Sequence, residues 1–209
     1  MASRTSRGRK PAAPRPPLRI LRPGEDGLAR NEAATGPLLL THLFDADECA
    51  GIIRLAPEHP LIRDTLVHPV EGYRHALSYP IPLAKDTRWL FERVWEGIML
   101  ANEAFDFRLT GIMDSLLVVK YPRGGHLGWH TDFSDLATSA RKVSLSIQLS
   151  PPDSYDGGAL QFSDMGVLPF SHEQGAGIAF PTYLSHRVTR VTRGSRWVML
   201  AWAFGPVFR

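Results

Sequence analysis

The spacing of apolar positions divides the chain into a front part with helical periodicity and a back part that reads as strands. From about Asp86 to Ala104, the residues Trp89, Leu90, Val94, Ile98 and Ala101 recur at three- and four-residue steps, one apolar stripe along a helix. An earlier helix is predicted from Asp45, a capping residue, through about residue 56, with Ile52, Ile53 and Leu55 as apolar positions. A short strand within Gly36–Phe44 precedes it. Residues 58–82 place Pro60, Pro69, Pro80 and Pro82 between short apolar runs, which predicts irregular structure with short strands.

Past residue 109 the period changes. Gly111–Tyr121, Val143–Ser150 and Trp197–Phe204 are β-rich, and shorter runs lie at 127–132, 158–163, 175–180 and 186–191. Asp156-Gly157-Gly158 and Arg193-Gly194-Ser195 supply turns where positive φ is needed. Many short strands with glycine-containing turns argue for a sandwich or a jelly-roll barrel, and the two helices ahead of it would pack on one outer face. No internal repeat, dinucleotide glycine motif or phosphate loop is present.

Composition narrows the class without changing it. At 209 residues and 44% apolar content the chain has room for one globular domain with a full core. No apolar run approaches the roughly 18 residues needed to span a bilayer, and no signal-peptide core stands near the N-terminus. One cysteine, Cys49, excludes an internal disulfide and cysteine-rich zinc chemistry, and it fits a reducing, cytoplasmic setting. The net charge of +3 is unevenly placed: residues 1–23 hold seven basic residues and no acid, so the rest has 17 basic against 21 acidic residues, a net −4. Residues 1–23, rich in Pro and Arg, are expected to be a disordered basic tail, ahead of one domain at 24–209 whose barrel core spans about 110–206. A polyanion-binding arm, a proline-rich ligand segment and an organellar targeting segment are the functional alternatives for that tail.

The chemistry concentrates in Tyr121-Pro-Arg-Gly-Gly-His126-Leu-Gly-Trp129-His130-Thr-Asp132, answered by Ser185-His186 and Arg196. On a strand, residues i and i+2 share a face, so His130 and Asp132 can converge on one point. His186 is the candidate third ligand. Two histidines and one carboxylate on one face of an octahedral metal leave three positions open, the arrangement of non-haem Fe(II) oxygenases. Ten positions after His186 comes Arg196, and a hairpin there would bring both side chains into the barrel mouth. An inward-facing arginine on an apolar strand needs an anionic partner, and its planar fork suits a carboxylate. Plainer readings stand beside each of these. His130 taken alone reads as a core histidine, Asp132 as a turn former, Tyr121 as barrel packing, Trp129 as core, and Arg187, Arg190 and Arg193 as a solvated face. His126 is a rival ligand or a substrate-side residue, because 126 and 130 would share a strand face; Arg141 and Lys142 flank the entrance.

The combination Tyr121…His130-x-Asp132…Gly157-Gly158…His186…Arg196 resembles the 2-oxoglutarate- and Fe(II)-dependent dioxygenases, in their prolyl 4-hydroxylase-like branch, over about residues 110–206. The resemblance implies a mainly β (α+β) fold, a double-stranded β-helix or jelly-roll barrel with two N-terminal helices. It implies iron ligation by His130, Asp132 and His186, and capture of the far carboxylate of 2-oxoglutarate by Arg196 with the Tyr121 hydroxyl. Gln148 stands where relatives often carry a tyrosine that contacts the cosubstrate. His126 and Arg141 are substrate-side candidates. Fe(II), 2-oxoglutarate and O₂ would be required, with ascorbate as an optional reductant, and the reaction would release succinate and CO₂. The expected substrate is of amino-acid type, a free amino acid or small metabolite or a protein side chain such as proline. A nucleic-acid demethylase is the alternative within the superfamily, although Trp202 stands where that branch typically adds a second arginine; only the basic tail favours it. A non-catalytic metal-binding module is the alternative outside it. Candidate lids are Phe133–Arg141 and residues 58–82.

Overall fold

The computed structural model describes residues 19–21, 36–58, 62–63, 72–113, 115–134, 138–167 and 172–207. In chain order the front part comprises β1 (Arg19–Leu21), β2 (Leu38–Thr41), α1 (Ala46–Leu55), β3 (Ile62–Arg63), β4 (Arg74–His75), β5 (Leu77–Pro82) and α2 (Arg88–Phe105). The back part begins with β6 (Gly111–Ile112), β7 (Ser115–Tyr121), β8 (His126–His130), β9 (Arg141–Gln148), β10 (Tyr155–Gly157) and β11 (Leu160–Phe162). It ends with β12 (Gly166–Val167), β13 (Gly177–Pro181), β14 (His186–Val188), β15 (Val191–Gly194) and β16 (Arg196–Phe204).

Both helices form where periodicity predicts them. Asp45 closes α1 with a capping box: its carboxylate accepts from the Glu48 N–H at 2.8 Å, and the Glu48 carboxylate accepts from the Asp45 N–H at 3.0 Å. Along α2 the buried stripe is Leu90, Phe91, Val94, Gly97, Ile98, Ala101 and Phe105. Trp89, expected in that stripe, stays exposed at its margin, in an edge-to-face contact with Phe44. The stripe ends because Asp106 turns left-handed at φ 56°.

Two antiparallel sheets face each other. The larger runs β1-β2-β13-β9-β16-β7-β5-β3, with β6 also on β16; the smaller runs β12-β11-β14-β8-β4, and β10 pairs with β15. Alternation along β7, β9 and β16 separates two cores. Val118, Leu145, Ile147 and Met199 face the helices, whereas Val119, Tyr121 and Val198 face the smaller sheet, together with Leu127, Phe162 and Val188 from it. This is the jelly-roll expected, with the helices on the outer face of the larger sheet, although the sheets stay open rather than closing into a cylinder. No helix among the described residues is long and apolar enough to cross a membrane.

Two expectations change. Within the segment taken as a disordered tail, Arg19–Leu21 pair with β2, Arg19 opposite Thr41 and Leu21 opposite Leu39, which covers the otherwise open N–H and C=O groups of that strand; the rest of 1–23 lies outside the described residues. His186 and Arg196 do not share a hairpin. β14 belongs to the smaller sheet and β16 to the larger, because the intervening β15 turns aside to pair with β10. The lid expectation is neither changed nor tested, because most of 59–71 and residues 135–137 lie outside the described residues.

Candidate metal centre

His130 and His186 end up side by side because they are directly opposed in the β8–β14 ladder. Their rings stand 4.1 Å apart, centroid to centroid, and His186 also packs edge-on to Phe180 and beside Phe162. Each ring is fixed by the carbonyl two residues before it. Nδ1 of His130 lies 2.9 Å from the Gly128 carbonyl oxygen, and Nδ1 of His186 lies 2.9 Å from that of Leu184. A carbonyl only accepts, so both Nδ1 atoms carry the proton and both Nε2 lone pairs are free to ligate.

Asp132 lies just past β8, where its N–H donates to the Thr182 carbonyl at 3.0 Å. One carboxylate oxygen is 3.6 Å from His130 Nε2 and the other 3.8 Å from His186 Nε2. These separations are too long for hydrogen bonds and suit ligands that meet through an ion. One donor atom from each of the three residues falls within 4.8 Å of the others. The Ser144 hydroxyl, on β9, donates to Asp132 Oδ2 at 2.6 Å. Burial alone would raise the Asp132 carboxyl; His130, His186 and the Ser144 hydroxyl outweigh it and hold the group well below the usual carboxylate range. Burial also pushes His186 down, against the pull of Asp132, which favours the neutral imidazole that a metal needs. Two neutral imidazoles and one carboxylate, each backed by a protein hydrogen bond, fit a divalent iron.

These residues line one cleft between the sheets, which also takes in Tyr121, Leu127, Ser146, Leu160, Phe180, Val188, Arg196, Val198, Leu200 and Trp202. Arg196 is 2% exposed and stands opposite Tyr121 in the β16–β7 register. Gln148 does not line the cleft. It sits behind Arg196 and accepts that side chain's Nε–H at 3.0 Å. Arg141 lies with its guanidinium 4.2 Å over the Trp202 ring.

His126 departs from expectation because the ladder is irregular. Between the pairs His186–His130 and Val188–Leu127, two steps on β14 match three on β8, a bulge that inserts an extra residue and shifts the alternation. Leu127 therefore shares the inner face with His130. His126 is outside the cleft, with its ring nitrogens 3.0 Å and 2.7 Å from the Gly124 and Gly72 carbonyl oxygens. Trp129 is not core: it is 43% exposed, with the Arg187 guanidinium 4.7 Å over its ring. Arg187 in turn donates to Gln161 at 2.7 Å. Ser144 and Trp202 line the cleft although the linear pattern did not single them out as site residues; only Trp202 had a signal, its six-residue offset from Arg196.

A jelly-roll with two histidines and a carboxylate at the mouth of its sheets defines the class of non-haem iron oxygenases. Residues 116–204 match the 2OG-Fe(II) oxygenase superfamily. A PKHD-type hydroxylase of Pseudomonas putida is 33% identical over 175 residues, covering 77% of this chain and 74% of the relative. A PKHD-type hydroxylase of Synechococcus is 34% identical over 98 residues, and there the chain spans 44% of the relative's length. The crystal structure of a Pseudomonas putida prolyl-4-hydroxylase superimposes with a TM-score of 0.64 at 21% identity, covering 82% of this chain and 94% of that one. The chain belongs to the 2OG-Fe(II) oxygenase superfamily, among its PKHD-type, prolyl hydroxylase-like members, and is a hydroxylase of that family.

Proposed function

We propose that this hydroxylase inserts oxygen into an unactivated C–H bond of an amino-acid-type substrate, a prolyl or other side chain in a peptide or a free amino acid. In this reading His130, Asp132 and His186 hold Fe(II), and Arg196 holds the far carboxylate of 2-oxoglutarate. The observation that carries it is the pairing, in one cleft, of three convergent donor atoms with a buried arginine. Bound iron supplies the activation of O₂, coupled to decarboxylation of 2-oxoglutarate to succinate and CO₂.

The chain's own residues do the rest. Arg196, buried and aimed into the cleft, requires an anion, and its fork matches a carboxylate in two parallel hydrogen bonds. Tyr121 adds a hydroxyl beside it from the adjacent strand. Leu127, Leu160, Phe180 and Val188 make the walls apolar and exclude water. Arg141 and Trp202 form the substrate side. The Trp202 indole N–H is buried and has no hydrogen-bond partner among the described residues, nor has the Arg141 Nε–H. Buried donors of this kind are costly until a ligand accepts from them, and a substrate carbonyl or carboxylate would do so. A reducing, cytoplasmic setting suits a ferrous centre, with ascorbate as an optional reductant. Residues 24–209 make one catalytic unit, to which most of the basic tail is an appendage.

The test is succinate release from 2-oxoglutarate under air with added Fe(II), across free amino acids and proline-containing peptides. Release should be stimulated by the true substrate and lost in Asp132→Ala. Equal, negligible turnover in both proteins across the whole screen would overturn the reading.

A further inference from the structure

An arginine that must present its fork to a carboxylate has to be held from behind, since a free guanidinium can swing about several bonds. Three neighbours hold Arg196. Its Nε–H donates to Gln148 Oε1 at 3.0 Å. Gln148 is 3% exposed, and its own amide donates to the Ser150 carbonyl at 2.9 Å. That carbonyl can only accept, so the NH₂ end faces Ser150 and the oxygen end faces Arg196. The methylene stem lies against Gly158, at φ +62°, where a Cβ would stand 3.1 Å from Arg196 Cδ and 2.8 Å from Val191 Cγ2. On the third side stands Tyr155, 3% exposed, with its hydroxyl 2.8 Å from His172 Nδ1. Burial raises the Tyr155 hydroxyl and the nearby Arg196 charge partly offsets this, so the phenol is a neutral neighbour of the guanidinium.

None of Gln148, Tyr155 and Gly158 lines the cleft. Their effect on a ligand therefore passes through Arg196. The chemistry of residue 148 matters as much as its place. A carboxylate there would neutralise the guanidinium, whereas an amide oxygen occupies Nε–H and leaves the positive charge uncompensated for an incoming anion.

We propose that Gln148 is a positioning residue that, by taking the Nε–H of Arg196, aims the two terminal nitrogens into the cleft and sets the preference for a dicarboxylic 2-oxo acid over one without the far carboxylate. This rests on the assignment of Arg196 to that carboxylate, and the experiment separates the two. Dissociation constants for 2-oxoglutarate and 2-oxobutanoate are measured by calorimetry on Mn(II)-loaded protein, for the parent, Gln148→Leu, Gln148→Glu, Arg196→Met and the Gln148→Leu/Arg196→Met double variant. Gln148→Leu should weaken 2-oxoglutarate about ten- to a hundredfold, as expected for losing a hydrogen bond to a charged group, with 2-oxobutanoate changing less than about twofold. Gln148→Glu, which keeps an acceptor and so tolerates burial beside the arginine, should shift the preference in the same direction. The double variant should bind 2-oxoglutarate no more weakly than Arg196→Met alone, because one group acts through the other. Equal losses for both acids in the two Gln148 variants, or additive losses in the double variant, would overturn the inference. An Arg196→Met protein that still prefers the dicarboxylate would instead overturn the assignment of Arg196.

Discussion

Asp132 is a carboxylate taken out of water yet kept charged, and Ser144 is the neutral group that completes its surroundings. The hydroxyl donates at 2.6 Å to the oxygen that also faces His186, so it orients the carboxylate as well as stabilising it. Groups in this position usually change metal affinity about ten- to a hundredfold. Ser144→Ala should therefore weaken Mn(II) binding by that order in anaerobic calorimetry while leaving the thermal unfolding of metal-free protein nearly unchanged; unaltered affinity would remove Ser144 from the site. Nothing in Val143-Ser144-Leu145-Ser146 marks the first serine over the second. Both occupy inward positions of one strand, and only the neighbouring loop decides which of them meets Asp132. Trp129 teaches the reverse lesson: its size argued for burial, but it points away from His130 onto an outer sheet face that leaves it exposed.

Turns and irregularities between strands decide how the elements are aimed. Gly175 stands at φ +79°, its N–H donates to the Gln148 carbonyl at 2.8 Å, and its carbonyl accepts from the Phe44 N–H at 3.1 Å. A Cβ there would overlap the Phe44 carbonyl oxygen, which is backbone and cannot step aside. Gly166, at φ +69°, has nothing within 4 Å of such a Cβ. Gly175→Ala should cost more than about 2 kcal/mol in urea unfolding, and Gly166→Ala only about 1 kcal/mol, the left-handed penalty alone. Equal losses would show that the close approach of Phe44 carries no energy. Glycine frequency in the chain announces turns, but it does not say which turn presses on a neighbour. That depends on the return of the loop before α1 against β13, residues more than a hundred positions apart.

Across the whole molecule the cleft is lined from both open sheets. His130 and His186 come from the smaller sheet, while Ser144, Arg196 and Tyr121 come from the larger one. Metal and 2-oxo acid bound together should tie the two sheets to each other and stabilise the fold by mass action. At a hundredfold excess over the dissociation constant each ligand contributes about 2.7 kcal/mol, which for a chain of this size raises Tm by roughly 5–10 °C. Calorimetric melts with Mn(II) and 2-oxoglutarate should show this rise in the parent protein and lose it in Asp132→Ala. An Asp132→Ala protein that gains the same shift would place the metal elsewhere.

Periodicity, glycine turns and the pattern His130-x-Asp132…His186…Arg196 were enough to determine the two helices, the β-rich back half and four residues that line one cleft, because these features are local or depend only on residue type. Which sheet each strand joins was decided by tertiary pairing: β15 leaves for β10, so His186 and Arg196 confront each other from opposite walls instead of sharing a hairpin. The bulge that exchanges His126 for Leu127 on the inner face, and the seating of Gln148 behind Arg196, have the same origin. Strand alternation is a property of the chain. Register and the company a buried side chain keeps are properties of strands distant in sequence, settled only when their hydrogen bonds and apolar faces are satisfied together.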